Sequence, residues 1–182
     1  MQATPIFWYI VVYAFGSGPV ASNVILANLA AGCYNFITNK GDSALIFTQK
    51  EIPEIPGIDP SRIRYISLKP KAQPTLKIAH WMMNEVIPSA RFHAHPATKI
   101  MVVAATPHLG RAKGDTEYAV WESGLDIDVR VWEDIAQIPP QKWYCNESKQ
   151  PHTRSAWAWW LREIPILIIR AISMRWYAYK TG

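Results

Sequence analysis

His108 and Arg111 are the residues of this chain whose types and spacing are best suited to chemistry at a shared site. They stand three positions apart, so a helix beginning near them would present both on one face. An imidazole can donate, accept or shuttle a proton near neutral pH, and a guanidinium can make a two-pronged contact with a phosphate or carboxylate. If the site is catalytic, we expect His108 to be the acid or base and Arg111 to contact the oxyanion. The alternative is that Arg111 only forms a local ion pair or caps a helix.

The residues before this pair predict where it lies in the fold. Five apolar residues at 100–104 are typical of a strand buried on both faces of a sheet, and a small-residue turn containing Thr106 and Pro107 follows. A strand that leads through a tight turn into a helix is the usual position of a ligand site in an open α/β sheet. We therefore expect Thr106 to contribute to ligand binding together with His108 and Arg111.

A second turn of this kind occurs near the beginning of the chain. The aromatic and β-branched run at residues 7–15 predicts the first strand, Gly16, Ser17 and Gly18 form the turn, and residues 20–36 have helical periodicity. Glycines allow the backbone to approach a ligand closely, and the free N–H groups of a helix start favour an anion. The pattern falls short of a complete dinucleotide-binding fingerprint.

A third loop is expected at the same edge, because parallel strands place the turns that follow them on one side of the sheet. After the predicted third strand at 62–68 the chain carries Lys69, Lys71, Gln73 and Thr75. Backbone donors and cationic side chains would then surround a pocket suited to an anionic small molecule. In this prediction Thr75 contacts the ligand through its side chain.

The order of the elements predicts the fold class. Strands expected at 7–15, 43–48, 62–68, 100–104 and 125–132 alternate with helices, which predicts a single α/β domain over 1–182. We expect a three-layer Rossmann-like fold with a mainly parallel sheet of about five strands. A hydrophobic share of 49% excludes a disordered chain, and a net charge of +5 suits an anionic ligand or a membrane surface but does not argue for nucleic acid.

These motifs resemble those of the YdcF-like family, which includes the SanA- and ElyC-type envelope-associated proteins. The resemblance rests on the apolar strand followed by small residues and His-x-x-Arg-Ala at 108–112, and on the glycine-rich turn at 16–18. It extends to a family element of the form Thr-x-Glu-Asn-Ala, in which Thr75 and Ala79 agree. Lys77 and Ile78 stand where the family has an acid and an amide. This chain would therefore be a divergent member.

The resemblance implies a Rossmann-like fold and a nucleotide-like ligand such as S-adenosylmethionine. It also implies a link to cell-envelope metabolism. Because the acid and the amide of the family element are replaced, the resemblance is compatible with a lost or altered activity. We therefore leave open whether the protein is an enzyme.

Three histidines were considered as metal ligands. His93 and His95 would point the same way in a strand, and His80 lies on the preceding helix. No Cys, Asp or Glu completes an evident first coordination shell, so we expect no metal site.

The C-terminal segment, residues 150–182, is rich in tryptophan and basic residues. Between 151 and 182 four arginines and Lys180 stand against Glu163 alone, and Pro165 is expected to bend the predicted helix. Such a helix could lie in a membrane interface. It could equally cover the sheet as the last layer of the core or bury a homodimer contact. The alternative function is thus a non-catalytic interaction protein that docks on a membrane surface or a partner through this helix.

The start of the chain bears on localisation. Its apolar run of nine residues is too short to cross a bilayer, and no basic region precedes it. We expect a cytoplasmic protein, with peripheral membrane contact through the C-terminal helix as a further possibility.

Overall fold

Five strands form one parallel sheet with β1 at its centre. The computed structural model describes residues 5–17, 20–66, 75–92 and 98–181. The strands are β1 (Phe7–Val12), β2 (Ser43–Thr48), β3 (Ile63–Tyr65), β4 (Thr98–Val103) and β5 (Asp128–Val131). Their order across the sheet is β3-β2-β1-β4-β5, and every neighbouring pair is parallel. This confirms the predicted parallel sheet of five strands.

Helices cover both faces of the sheet. They are α1 (Ala21–Asn39), α2 (Thr75–Phe92), α3 (Thr106–Glu122), α4 (Ala156–Ile172) and α5 (Met174–Thr181). Alternate side chains of β1 enter opposite layers, because successive residues of a strand point to opposite faces. Ile10 packs in a cluster with Leu26 of α1, whereas Val11 packs in a second cluster with Met82 of α2 and Ala112 of α3. The three-layer Rossmann-like fold is therefore confirmed.

The strand order creates a crevice between β1 and β4. The chain leaves β1 towards α1 on one face and leaves β4 towards α3 on the other face. Two connections that diverge from neighbouring strands open a gap at the carboxyl edge, which is where ligands bind in such sheets. The fold therefore brings the turns after β1 and β4 together.

Two element boundaries differ from the sequence-based expectation. The first strand ends at Val12, and residues 13–15 leave the sheet, although the Tyr13 amide still donates to the Val103 carbonyl at 2.9 Å. Pro88 predicts, from the sequence alone, the end of the second helix, and this prediction is wrong, because α2 continues to Phe92. An internal proline removes one backbone hydrogen bond and bends a helix, but it does not always end it.

The C-terminal segment forms two helices that place most of their aromatic side chains outward. Trp159 is buried against Phe15, with ring centroids 4.8 Å apart, whereas Trp157 and Trp160 are exposed. Of the three expected roles, covering of the core therefore applies to Trp159 and not to Trp157 or Trp160. Within the described ranges, no helix combines the length and the hydropathy that crossing a membrane requires.

Candidate functional site

A small cavity lies in the crevice between the segments that follow β1 and β4. Its volume is about 120 Å³. Residues 13–16 form one wall, Thr75 at the start of α2 and the pair His108 and Arg111 of α3 form another, and α4 closes it with Trp159 and Arg162. Four residues predicted from the sequence, Gly16, Thr75, His108 and Arg111, therefore line one common cavity.

Arg111 is the centre of a buried hydrogen-bond cluster. Its Nε donates to Glu163 Oε1 at 2.6 Å, Nη1 donates to Thr75 Oγ1 at 2.9 Å, and Nη2 lies 3.1 Å from His108 Nδ1. Both members of the Arg111–Glu163 ion pair are nearly inaccessible to solvent, with 5% and 2% of their side chains exposed. Arg111 therefore holds Thr75, His108 and α4 in a fixed arrangement.

The donors of this cluster determine the tautomer of His108. A guanidinium can only donate, so His108 Nδ1 must accept from Arg111, and the ring hydrogen of the neutral imidazole is on Nε2. Nε2 lies 3.3 Å from Thr75 Oγ1 and donates to it. Thr75 Oγ1 then accepts hydrogen bonds from both His108 and Arg111. No acceptor for its own hydroxyl hydrogen is found among the described residues.

Electrostatics keep His108 neutral and Arg111 charged. Burial, followed by the charges of Arg111 and Arg162, lowers the pKa of His108 well below its ordinary value. Burial is the largest single effect on Arg111 and would lower its pKa, but Glu163 and Tyr177 together outweigh it, and the pKa is raised. The cavity thus contains a neutral imidazole beside a guanidinium whose charge Glu163 balances.

A second buried cluster fixes the helices that close the cavity. Asp115 of α3 accepts a hydrogen bond from Tyr177 Oη of α5 at 3.0 Å. Arg170 Nη2 of α4 lies 3.3 Å from Asp115 Oδ1, an ion pair without hydrogen-bond geometry. Burial raises the pKa of Asp115 to about 6, against the opposing effect of Arg170. The two α3 residues, Arg111 and Asp115, thus pair with α4 residues of opposite charge.

Arg162 and His152 form the mouth of the cavity. Arg162 Nη1 lies 2.8 Å from His152 Nε2, which accepts because the guanidinium cannot. Burial and the charge of Arg162 lower the pKa of His152 to about 4, so this imidazole is neutral at pH 7. Burial and the charge of Arg111 lower the pKa of Arg162. Arg162 therefore brings a cation to the cavity whose hydrogen-bond partner there is uncharged.

Gly16 is required where the segment after β1 passes the cavity. Its φ of +93° is in the left-handed region that favours glycine. A Cβ at this position would come within 2.8 Å of Ser148 Oγ and 3.1 Å of Thr153 Oγ1. Ser17 follows it but does not line the cavity, and Gly18 lies outside the described residues.

Thr106 has a different role from the one expected. It begins α3, and its Oγ1 accepts a hydrogen bond from Trp143 Nε1 at 3.1 Å. It does not line the cavity. Thr106 therefore joins α3 to the connection that follows β5. Lys69, Lys71 and Gln73 lie outside the described residues, so their predicted contribution stays a prediction.

Sequence reasoning missed four residues of the site: His152, Trp159, Arg162 and Glu163. The C-terminal segment was interpreted as a surface or core helix, so its polar residues were not considered for the cavity. One signal was present. Glu163 is the single acidic residue among many apolar and basic ones, and a carboxylate in such a helix often has a buried cationic partner.

The histidines considered as metal ligands do not converge in the described part of the chain. His80 Nε2 contacts Glu122 Oε2 at 2.7 Å, partly exposed and remote from the cavity lining. His93 and His95 lie outside the described residues. Among the described residues no three His, Cys, Asp or Glu side chains are close enough to hold a metal ion.

Comparison with known proteins gives no match: no family model, curated protein sequence or solved structure is significantly similar to this chain. The chemistry of the cavity must therefore be judged from its own groups. It offers a guanidinium whose hydrogen-bond partner is uncharged, a threonine hydroxyl and two neutral imidazoles, and Glu51 brings one carboxylate to the lining. This combination can bind an anion and fix its orientation.

Proposed function

We propose that the protein binds a small molecule through an anionic group, a phosphate or a carboxylate, in the cavity between β1 and β4. The observation that carries this proposal is Arg162, a guanidinium at the cavity whose partner is the neutral imidazole of His152. A guanidinium that faces a cavity without a carboxylate partner favours an anionic ligand.

Thr75 and Arg111 complete the proposed anion site in different ways. The oxygen of Thr75 accepts from Arg111 and His108, so its hydroxyl hydrogen, which has no acceptor in the described part of the chain, can donate to the ligand. The charge of Arg111 is balanced by Glu163, so its part is to hold Thr75 and His108 in place. Gly16 lines the cavity, and its missing Cβ leaves room for Ser148 and Thr153 to pack against the backbone.

His108 is better suited to positioning than to proton transfer. Both of its ring nitrogens are engaged, and burial strongly disfavours its protonated form. A catalytic base works best when its pKa is close to the operating pH. The geometry therefore favours a role for His108 in orienting Thr75 over the expected role of acid or base, and ligand binding is proposed without a reaction.

The size of the cavity limits the part of the ligand that is enclosed. A volume of about 120 Å³ is below the roughly 300–1,000 Å³ of pockets that enclose whole drug-sized ligands. The cavity would enclose the anionic group, and the remainder of the molecule would extend outward past Arg162. S-adenosylmethionine, through its carboxylate, and other nucleotide-like ligands stay within this proposal. On the resemblance alone, we also propose a link to cell-envelope metabolism.

Calorimetric titration tests the anion site. Inorganic phosphate, pyrophosphate and S-adenosylmethionine are each titrated into the wild type, Arg162→Gln and Arg154→Gln. The Arg154→Gln variant is the matched control, because Arg154 is exposed, donates to the Ser148 carbonyl and does not line the cavity. We expect Arg162→Gln to weaken binding at least about tenfold, the loss of one charge-assisted hydrogen bond.

Two results would contradict the proposal. One is the absence of binding of all three compounds by the wild type. The other is equal affinity of the wild type and Arg162→Gln for a compound that binds. If Arg162→Gln and Arg154→Gln lost affinity to a similar extent, binding would depend on the overall charge of the protein and not on the cavity.

A further inference from the structure

The faces of α4 are inverted relative to an ordinary surface helix. Its inward face carries charged residues, since Glu163 pairs with Arg111 and Arg170 with Asp115. Its outward face is apolar and consists of Trp157, Trp160, Leu161, Ile164, Ile168 and Ile172, all exposed. Trp157 is 74% exposed and Ile172 79% exposed, so these side chains are not covered by the described part of the chain. We call these six residues the apolar face.

The apolar face continues beyond α4. Trp176 and Tyr179 of α5 are exposed, as is Trp121 near the end of α3. Trp121 and Tyr179 line one shallow recess together with Arg175. A contiguous exposed apolar surface of this kind marks an interaction site, whereas single exposed apolar residues do not.

The exposed charged side chains described on α4 and α5 have one sign, whereas Glu122 of α3 lies at the shared recess and contacts His80. Between residues 151 and 182 Glu163 is the only acidic residue, and it is buried against Arg111. Apart from Arg162, which lines the cavity, the exposed charged side chains described in this segment are Arg154 and Arg175. The surface thus combines apolar and aromatic side chains with cations, and this segment supplies no exposed carboxylate.

We propose that the apolar face lies on the surface of a bilayer that contains anionic lipids. Exposed tryptophans with flanking arginines match the boundary between headgroups and acyl chains, where an amphipathic ring and a cationic head are both favoured. The helix has 17 residues, or about 26 Å, and would lie in the membrane plane. This docking is independent of the anion site in the cavity.

Charge complementarity selects the bilayer over a second copy of the chain. A two-fold contact through the apolar face would bring the same patch of each copy together, and with it the same arginines. No exposed carboxylate of α4 or α5 would be present to pair with them, and the Glu122 carboxylate of α3 is already engaged by His80 and Tyr118. Anionic headgroups supply the missing negative charge, and each nearby Lys or Arg contributes about 1 kcal/mol to such binding.

The inward ion pairs fix the orientation that docking needs. To bury the apolar face in the protein, α4 would have to rotate and break both Glu163–Arg111 and Arg170–Asp115. Breaking a buried pair leaves an uncompensated charge and is strongly unfavourable. The apolar face is therefore already exposed in the protein that is not bound to a membrane.

Vesicle co-sedimentation of the full chain tests this proposal. The vesicles are phosphatidylcholine alone or phosphatidylcholine mixed with phosphatidylglycerol. The test variant is Trp157→Ser, Ile164→Ser and Ile168→Ser combined. The control is Val24→Ser with Tyr65→Ser, two side chains of similar exposure on α1 and β3. Circular dichroism and thermal unfolding establish that each variant is folded.

We expect the wild type and the control to bind the anionic vesicles, more weakly at high salt and on phosphatidylcholine alone. The triple variant should bind at least about tenfold more weakly. Equal binding of the triple variant and the wild type overturns the proposal, as does the absence of wild-type binding to either vesicle. A dimer on a sizing column that the triple variant abolishes, without vesicle binding, would assign the apolar face to a second copy. Loss of anion binding in Arg162→Gln has no bearing on these outcomes.

Discussion

Arg111 of α3 and Glu163 of α4 form a buried ion pair with an Nε–Oε1 distance of 2.6 Å, although they are 52 positions apart in the chain. The sequence alone left open a local ion pair for Arg111. The structure shows a long-range pair instead, and the same guanidinium also bonds Thr75 and lies against His108. The cavity and the C-terminal helix are therefore parts of one arrangement.

Glu163→Gln tests the contribution of this pair to stability. The amide keeps the shape of the side chain but leaves the Arg111 guanidinium buried without a counter-charge. We expect the free energy of unfolding in urea to fall by about 3–5 kcal/mol. Glu117→Gln is the control, because Glu117 pairs with Lys113 at 3.0 Å on an exposed helix surface, and it should cost at most about 0.5 kcal/mol. Similar losses in the two variants would contradict this prediction.

Two glycines of α3 provide a matched pair of substitutions. Gly110→Ala adds a methyl group with no heavy atom within 4 Å and should stabilise the protein by about 0.5–1 kcal/mol. Gly114→Ala would overlap the Arg170 guanidinium, which must then move away from Asp115. We expect Gly114→Ala to destabilise the protein in urea unfolding, because the Asp115 carboxylate loses its cation. If both variants were stabilised equally, the Arg170 side chain could move away from the added methyl group without a loss of free energy of unfolding.

Thr106→Val tests the role of Thr106 found in the structure. Trp143 is fully buried, and its Nε1 donates to Thr106 Oγ1, so valine would leave that N–H without its partner. We expect a loss of about 1–3 kcal/mol in the free energy of unfolding. Thr38→Val is the control, because the Thr38 hydroxyl bonds carbonyls of its own helix, and it should change stability by less than about 0.5 kcal/mol. If a folded Thr106→Val variant bound phosphate with altered affinity, Thr106 would contribute to ligand binding, as the sequence predicts.

Acidification should destabilise the fold through its two neutral imidazoles. An unfolded histidine binds a proton below about pH 6.5, whereas the folded pKa of His152 is about 4 and that of His108 is also low. Between these values the unfolded state holds more protons, so stability falls as the pH falls. Asp115 acts in the opposite sense, because its folded pKa of about 6 lies above its unfolded value.

Urea unfolding between pH 4.5 and pH 7 measures this dependence. We expect His152→Gln to flatten the loss of stability at low pH, since glutamine can still accept from Arg162 and does not titrate. Asp115→Asn should make the loss of stability at low pH steeper, because it removes the one group described above whose protonation favours the folded state. Identical pH profiles of the wild type and His152→Gln would show that His152 is not held neutral in the fold.

The fold could be predicted from local patterns because each element carries its own signal. The apolar run of β4 and the aromatic run of β1 identify buried strands, and their turns identify the edge at which Gly16 and Arg111 meet. The contacts of Thr106 could not be predicted, because its partner Trp143 is 37 positions away in an irregular connection. Periodicity carries no information about such pairs.

The inverted α4 shows why the rest of the site was missed. Hydrophobic periodicity predicts that the apolar face of a helix points inward. In α4 the inward positions include Glu163 and Arg170 beside the buried Trp159, because α3 presents charges that require partners. That requirement depends on the packing of two helices and is not visible in either one alone.

The long span of the Arg111–Glu163 pair also has a consequence for synthesis. All five strands precede α4 in the chain, so they are synthesised before the carboxylate that balances Arg111. A nascent chain that ends after β5 would therefore lack the counter-charge of Arg111 and the helix that closes the crevice between β1 and β4. The cavity can be complete only after α4, the last of its walls along the chain, has been synthesised.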